Sequence, residues 1–138
     1  MADLTDQEIE QLVMAAVDAR GRAYAPHSHF EVGAAILTDD QRITSGCNVE
    51  NASFGLTICA ERVAASAAVA AGYREWKALA IASTGGVAPC GACRQFLAEF
   101  GLDVTIVLIN VTDGSRRVCH LSQLLPEAFG EADLPIQG

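Results

Sequence analysis

Basic residues are scarce in this sequence: 9 Lys and Arg stand against 17 Asp and Glu, for a net charge of −8. An acidic surface repels phosphate backbones at long range, which disfavours a polynucleotide partner, and no basic stripe offsets it. Charge raises no such objection to an uncharged small molecule. Long apolar runs are also missing. The most apolar stretches are short and broken by Gly, well under the ~20 residues that a membrane span needs. The N-terminal Met1-Ala2-Asp3-Leu4-Thr5-Asp6-Gln7-Glu8 has neither the basic nor the apolar region of a secretory signal, so a cytoplasmic protein is expected. There is no internal repeat, low-complexity segment or linker. A chain of 138 residues, 51% hydrophobic and 19% charged, reads as a single globular domain over residues 1–138, long enough to bury one core. The five cysteines are an odd number, and with no secretory signal they suggest a reducing compartment. Metal binding or catalysis is then the expected use of any cysteines that cluster.

Local patterns set out an alternating order. Thr5 and Glu8 form a capping box ahead of Ile9, Leu12, Val13, Ala16 and Val17 at helical spacing, with Gly21 as the stop. A loop over 24–30 precedes strands at 32–38 and 43–46, joined by the turn Asp39-Asp40-Gln41. A polar loop over 48–57 leads to an Ala-rich helix from Cys59 to Ala71. Strands at 77–84 and 104–109 are apolar on both faces and should lie centrally in a sheet. Between them Pro89-Cys90-Gly91 opens a helix reaching about Phe100. A short strand at 117–119 and a short helix at 121–125 follow, then a tail to Gly138. The order α-β-β-α-β-α-β-β-α implies a three-layer α/β/α sandwich around a mixed sheet of about five strands.

Two segments carry chemistry: Cys59-Ala60-Glu61-Arg62 and Pro89-Cys90-Gly91-Ala92-Cys93-Arg94, each at a helix start. A C-x-x-C at a helix N-terminus presents two thiolates to one metal, with the helix dipole stabilising their charge. Cys59 supplies a third. Three protein ligands leave one tetrahedral position open, the arrangement of a catalytic rather than a structural zinc. A water there is acidified by the metal. Glu61 can stand beside that water without binding the metal and carry its proton. Zinc with three thiolates has net negative charge, so a positive group should compensate. Arg62 or Arg94 can donate to the sulfurs, and Arg62, next to Glu61, is the expected one.

Plainer readings compete with this one. A lone C-x-x-C serves equally as a redox pair or as half of a closed zinc site. A closed site needs a fourth ligand, and Cys47 and Cys119 lie in or beside strands, where a buried small hydrophobe is the commoner role. A redox reading leaves Cys59-x-Glu61 unexplained. His27, His29 and His120 have no partner motif and receive no ligand role. Taken alone, Phe30 and Phe129 would be core residues, Asn48 and Glu50 solvated or turn-forming, and Arg62 an exposed helix residue.

The zinc nucleobase deaminases carry H-x-E with P-C-x-x-C. This chain has C-x-E and P-C-x-x-C, and the exchange of His for Cys resembles the small homotetrameric cytidine deaminases. The likeness extends to Tyr24-Ala-Pro-His-Ser-His-Phe30-Glu-Val-Gly-Ala-Ala35, to Gly46-Cys-Asn48-Val-Glu50-Asn51-Ala52-Ser53, and to Leu124-Leu-Pro126-Glu-Ala-Phe129. The resemblance implies one Zn²⁺ per chain on Cys59, Cys90 and Cys93, with Glu61 as proton shuttle. It implies that Asn48 and Glu50 read the ribose 3′-hydroxyl, within a block that includes Ala52. Phe30 would pack on the pyrimidine and Phe129 would reach the base from a neighbouring subunit. The Ala88 carbonyl would accept from the exocyclic amine, and the Ala60 N–H would help fix the base edge. Phe54 stands where the family commonly has a Tyr that contacts the sugar's 5′ side across a subunit interface. The missing hydroxyl removes one hydrogen bond, a net effect of about 0.5–1.5 kcal/mol. His27 also replaces a common Tyr and is expected to be structural.

The implied reaction is hydrolysis of cytidine or 2′-deoxycytidine to uridine or 2′-deoxyuridine and ammonia, in pyrimidine salvage. Zinc-bound hydroxide attacks C4 while Glu61 moves the proton to N3 and then to the amine. The alternatives are a deaminase of a modified cytosine nucleoside, such as a blasticidin-like antibiotic, and a non-catalytic structural zinc protein. The Asn48-Val49-Glu50 pattern favours an ordinary sugar over the first, and Glu61 with no fourth ligand disfavours the second.

Overall fold

The computed structural model describes residues 4–135. Residues 1–3 and 136–138, the two ends of the single domain expected over 1–138, lie outside the described residues, as do the start of the N-terminal segment and the end of the tail. Helix α1 spans Asp6–Arg20. Its capping box is formed: the Glu8 N–H donates to Thr5 Oγ1 at 3.0 Å and the Thr5 N–H to Glu8 Oε1 at 2.9 Å. Strands β1 (Gly33–Thr38) and β2 (Ile43–Cys47) make the expected hairpin, with Gln41 at φ 71° in the turn. Helix α2 covers Ala60–Ala70, β3 Trp76–Ser83, α3 Gly91–Ala98, β4 Thr105–Asn110, β5 Arg116–His120 and α4 Leu121–Leu124.

The five strands form one sheet in the order β2-β1-β3-β4-β5. Only the β3–β4 pair is parallel, bridged by α3 as its crossover, and the other pairs are antiparallel. The sheet is therefore mixed, with β3 at its centre and almost wholly buried. Helix α1 covers one face, while α2, α3 and α4 lie on the other. The sequence order thus gives the expected α/β/α sandwich.

The period of two along each strand divides two cores. Ala35, Ala78, Ala80 and Ala82 meet the larger Leu12 and Val13 of α1. On the opposite face Ile36, Leu79 and Ile81 meet Ala60, Ala64, Ala65 and Ala68 of α2. Each interface pairs large with small side chains, so the layers come close together. Gly46 extends this logic. A Cβ there would lie 2.5 Å from the Ala64 backbone nitrogen, so the glycine lets α2 rest directly on β2.

Differences from the sequence-based bounds are small. Helix α3 ends at Ala98 because Phe100 and Gly101 turn tightly back, with their N–H groups on Leu97 and Ala98, and Gly101 at φ 137°. Strand β5 is longer than expected because Arg116 and His120 extend the pairing with β4. The polar 48–57 loop is stapled by Val49, which bridges to Tyr24 on one side and to Ile58 on the other. No described helix is long and apolar enough to cross a membrane.

Candidate active site

Cys59 and Cys90 are the N-cap residues of α2 and α3, both with extended backbone dihedrals. Cys93 lies one turn into α3 and is fully buried. Two helix starts thereby converge, and the positive end of each dipole faces the sulfurs. The three Sγ atoms all lie within 4.8 Å of one another, and those of Cys59 and Cys90 are 4.0 Å apart. Four-coordinate zinc with Zn–S bonds of about 2.3 Å places sulfurs about 3.8 Å apart. The donor set and its spacing therefore fit a single zinc ion held by Cys59, Cys90 and Cys93. Cys47 and Cys119 are half-buried and do not join the group.

The electrostatics suit a thiolate site. Hydrogen bonding from the Cys93 thiol, helped by Arg62 and Cys90, lowers the Cys59 thiol from its usual 9.0 to about 5 against the opposing effect of burial. Cys93 moves the other way, because it shares its proton with Cys59 and is buried. The Arg62 guanidinium donates from Nη2 to Cys59 Sγ at 3.7 Å, and its Nε is buried without a partner among the described residues. Arg94 instead spends its donors on the Pro89 and Leu124 carbonyls, at 2.7 and 2.8 Å. Arg62 thus faces the sulfurs, and Arg94 ties α3 to the last residue of α4.

Glu61 follows in the first turn of α2 and is 5% exposed. Burial, reinforced by the nearby Cys59, raises its carboxyl above the usual carboxylate range. A buried carboxyl beside the three-thiol group has the chemistry to take up and return a proton.

A cavity of about 290 Å³ opens on this group. Its lining contains Cys59, Cys90 and Glu61 together with Phe30, Asn48, Glu50, Ala60 and Ala88. Asn48 is buried, and its amide brackets the chain beside it: Oδ1 accepts from the Val32 N–H at 3.0 Å and Nδ2 donates to the Phe30 carbonyl at 2.8 Å. The Glu50 carboxylate accepts from the N–H groups of His27 and Ser28 at 2.8 and 3.1 Å, and from the Ser28 hydroxyl. These donors, the Ser28 hydroxyl foremost, hold its pKa below the usual range.

Three expected contacts lie off this lining. Ala52 is exposed and outside the cavity, Phe54 is 74% exposed and packs edge-on to His27, and Phe129 is 57% exposed. Sequence reasoning assigned no role to Ser28, Val32, Thr57, Ile81 and Val87, which complete the wall. Only Ser28 and Val32 sat inside a motif block that could have suggested them.

The sandwich and its three-thiol centre define a zinc-binding α/β/α domain. The chain belongs to the cytidine and deoxycytidylate deaminase family, whose zinc-binding region matches residues 6–109. It is 43% identical to a probable cytidine deaminase of Dictyostelium discoideum, over 95% of this chain and 90% of that protein. It is likewise 43% identical to the cytidine deaminase of Sporosarcina psychrophila, over 92% and 95% respectively. The crystal structure of cytidine deaminase from Burkholderia pseudomallei superposes with a TM-score of 0.84 at 49% identity, covering 91% of this chain and all of that one.

Proposed function

We propose that this protein, as one domain over residues 1–138, hydrolyses cytidine and 2′-deoxycytidine to uridine and 2′-deoxyuridine with release of ammonia. The observation that carries this reading is a single cavity lined at once by two of the thiol ligands, by Glu61, and by Phe30, Asn48 and Glu50. The named relatives are cytidine deaminases, and the family takes in deoxycytidylate as well. The lining supports a free nucleoside: it contains no Lys or Arg to pair with a phosphate, and Glu50 adds a negative charge. A phosphorylated substrate would meet repulsion there, and a free nucleoside would not.

Held by Cys59, Cys90 and Cys93, a zinc ion would supply an acidified water as the nucleophile at C4. Glu61 is placed to take up a proton at its carboxylate, return it to N3 of the ring and then assist the departing amine. Phe30 packs on the pyrimidine face. The Ala88 carbonyl accepts from the exocyclic amine, and the Ala60 N–H fixes the base edge. Asn48 and Glu50 hold the sugar at its 3′-hydroxyl, with Ala52 in the same block. Arg62 offsets the negative charge of the three thiolates. These groups favour the tetrahedral intermediate over the flat substrate, which is where the rate acceleration arises.

The exposed Phe54 and Phe129 support a homotetramer in which these side chains complete neighbouring cavities. A cytoplasmic role in pyrimidine salvage goes with this chemistry. Rates measured side by side on cytidine, 2′-deoxycytidine, deoxycytidylate and blasticidin test the reading. Turnover of the two free nucleosides alone is expected, and preference for the phosphate or the antibiotic would contradict it.

A further inference from the structure

We propose that Ser28 is a positioning residue whose hydroxyl couples the base-stacking and sugar-reading halves of the cavity, setting the orientation of Glu50 and Phe30 together. The inference rests on the nucleoside reading of this cavity.

The Ser28 Oγ stands between two groups. It donates to Glu50 Oε2, and it accepts from the Phe30 N–H at 3.0 Å. His29, between Ser28 and Phe30, has φ 59°, a left-handed conformation unusual outside glycine. That conformation folds the chain back so that one hydroxyl meets both neighbours. The Phe30 carbonyl on the other side is held by Asn48 Nδ2 at 2.8 Å. The backbone of the stacking residue is thus gripped at its N–H by Ser28 and at its C=O by Asn48.

Glu50 has its own constraint. An ionised carboxylate has about four lone-pair positions. Oε1 accepts from the His27 and Ser28 N–H groups, and Oε2 accepts from the Ser28 hydroxyl. One acceptor position remains, on Oε2, in a residue that lines the cavity. A single fixed acceptor reads a single donor, such as one sugar hydroxyl. Without the Ser28 hydroxyl, Oε2 has no partner in the loop, the carboxylate is held through Oε1 alone, and Phe30 loses the anchor on its N–H.

The test compares 2′-deoxycytidine with 2′,3′-dideoxycytidine, which differ only at the 3′-hydroxyl. For Ser28→Ala, kcat/KM on 2′-deoxycytidine should fall about tenfold or more, through KM, as expected for a lost hydrogen bond to a charged group. The rate on the dideoxy substrate should fall much less, so that discrimination narrows toward that of Glu50→Gln. Ser28→Thr, which keeps the hydroxyl, should restore discrimination, and zinc content should stay at the wild-type level throughout. Equal losses on both substrates, or no loss, would overturn the role of Ser28. A wild-type protein that deaminates neither nucleoside would overturn the nucleoside reading and the inference resting on it. If Ser28→Ala fails to fold, Ser28→Cys against Ser28→Thr makes the same comparison, since a thiol is a weak donor of similar size; equal discrimination in the two would overturn the role.

Discussion

Cys59 Sγ and Cys90 Sγ stand 4.0 Å apart although they are 31 positions apart in the chain, because each caps a helix and the two helix starts converge. That convergence makes the metal position a property of the fold. Replacing either residue by Ser should strip zinc during purification and abolish turnover, with metal analysis as the readout. Zinc retained at the wild-type level in Cys90→Ser would count against the three-ligand site.

Arg62 approaches Cys59 Sγ to 3.7 Å, and under the proposed function it offsets the charge of the three thiolates. Arg62→Ala should release zinc to a chelator markedly faster than the wild type. Arg94→Ala should leave chelation kinetics nearly unchanged and lower stability instead, since its donors hold two backbone carbonyls. The reverse pattern would reassign the compensating charge.

Gly46 sets the depth at which α2 lies on the sheet, and with it the position of Cys59 and Glu61. A methyl group there would sit 2.5 Å from the Ala64 nitrogen. Gly46→Ala should therefore destabilise the fold by about 1–3 kcal/mol in chemical denaturation, the usual cost of overpacking. Weakened zinc binding should accompany the loss. Unchanged stability would mean that α2 can shift outward freely.

Acid sensitivity has an identifiable source in the Glu8–Lys77 ion pair, at 2.8 Å with both side chains largely covered. The Lys77 ammonium, with the Thr5 N–H, lowers the Glu8 carboxyl from 4.5 to about 2. A carboxyl whose pKa is depressed by folding stabilises the native state above its unfolded value. That contribution fades as the pH falls from about 4.5 to about 2. Glu8→Gln keeps the amide able to cap α1 but removes the charge. It should lower Tm by a few degrees at neutral pH, and the difference from wild type should close near pH 2. A difference independent of pH would point to the cap rather than to the ion pair.

Local chemistry made much of this molecule legible in its sequence. The Thr5–Glu8 capping box, the 39–41 turn and the apolar β3 and β4 are short-range patterns, and each formed as expected. The three cysteines that cluster were legible because metal ligation limits both residue type and spacing, and Glu61 because it lies two residues after Cys59 at the same helix start. Arg62 was expected over Arg94 because it stands next to Glu61, and its Nη2 lies 3.7 Å from Cys59 Sγ. Thr57, Ile81 and Val87 were not legible, because a residue lines a cavity through the meeting of distant segments and not through its own type. Ser28 was hidden for a related reason: its importance lies in bonds to Glu50, 22 residues away, and these form only once the His29 turn is made.

The central claim is that Glu61 moves the proton in a zinc-dependent hydrolysis of cytidine. Its most direct test follows the ultraviolet absorbance of cytidine with zinc-loaded wild-type protein and with Glu61→Gln, metal content being measured on both. The account predicts steady loss of the cytidine band with the wild type, stopped by chelation. It predicts a fall of about 10²–10⁴-fold in Glu61→Gln at equal zinc content, the range expected for a lost acid–base group. Comparable turnover by the two proteins, or no turnover by a fully zinc-loaded wild type, would contradict it.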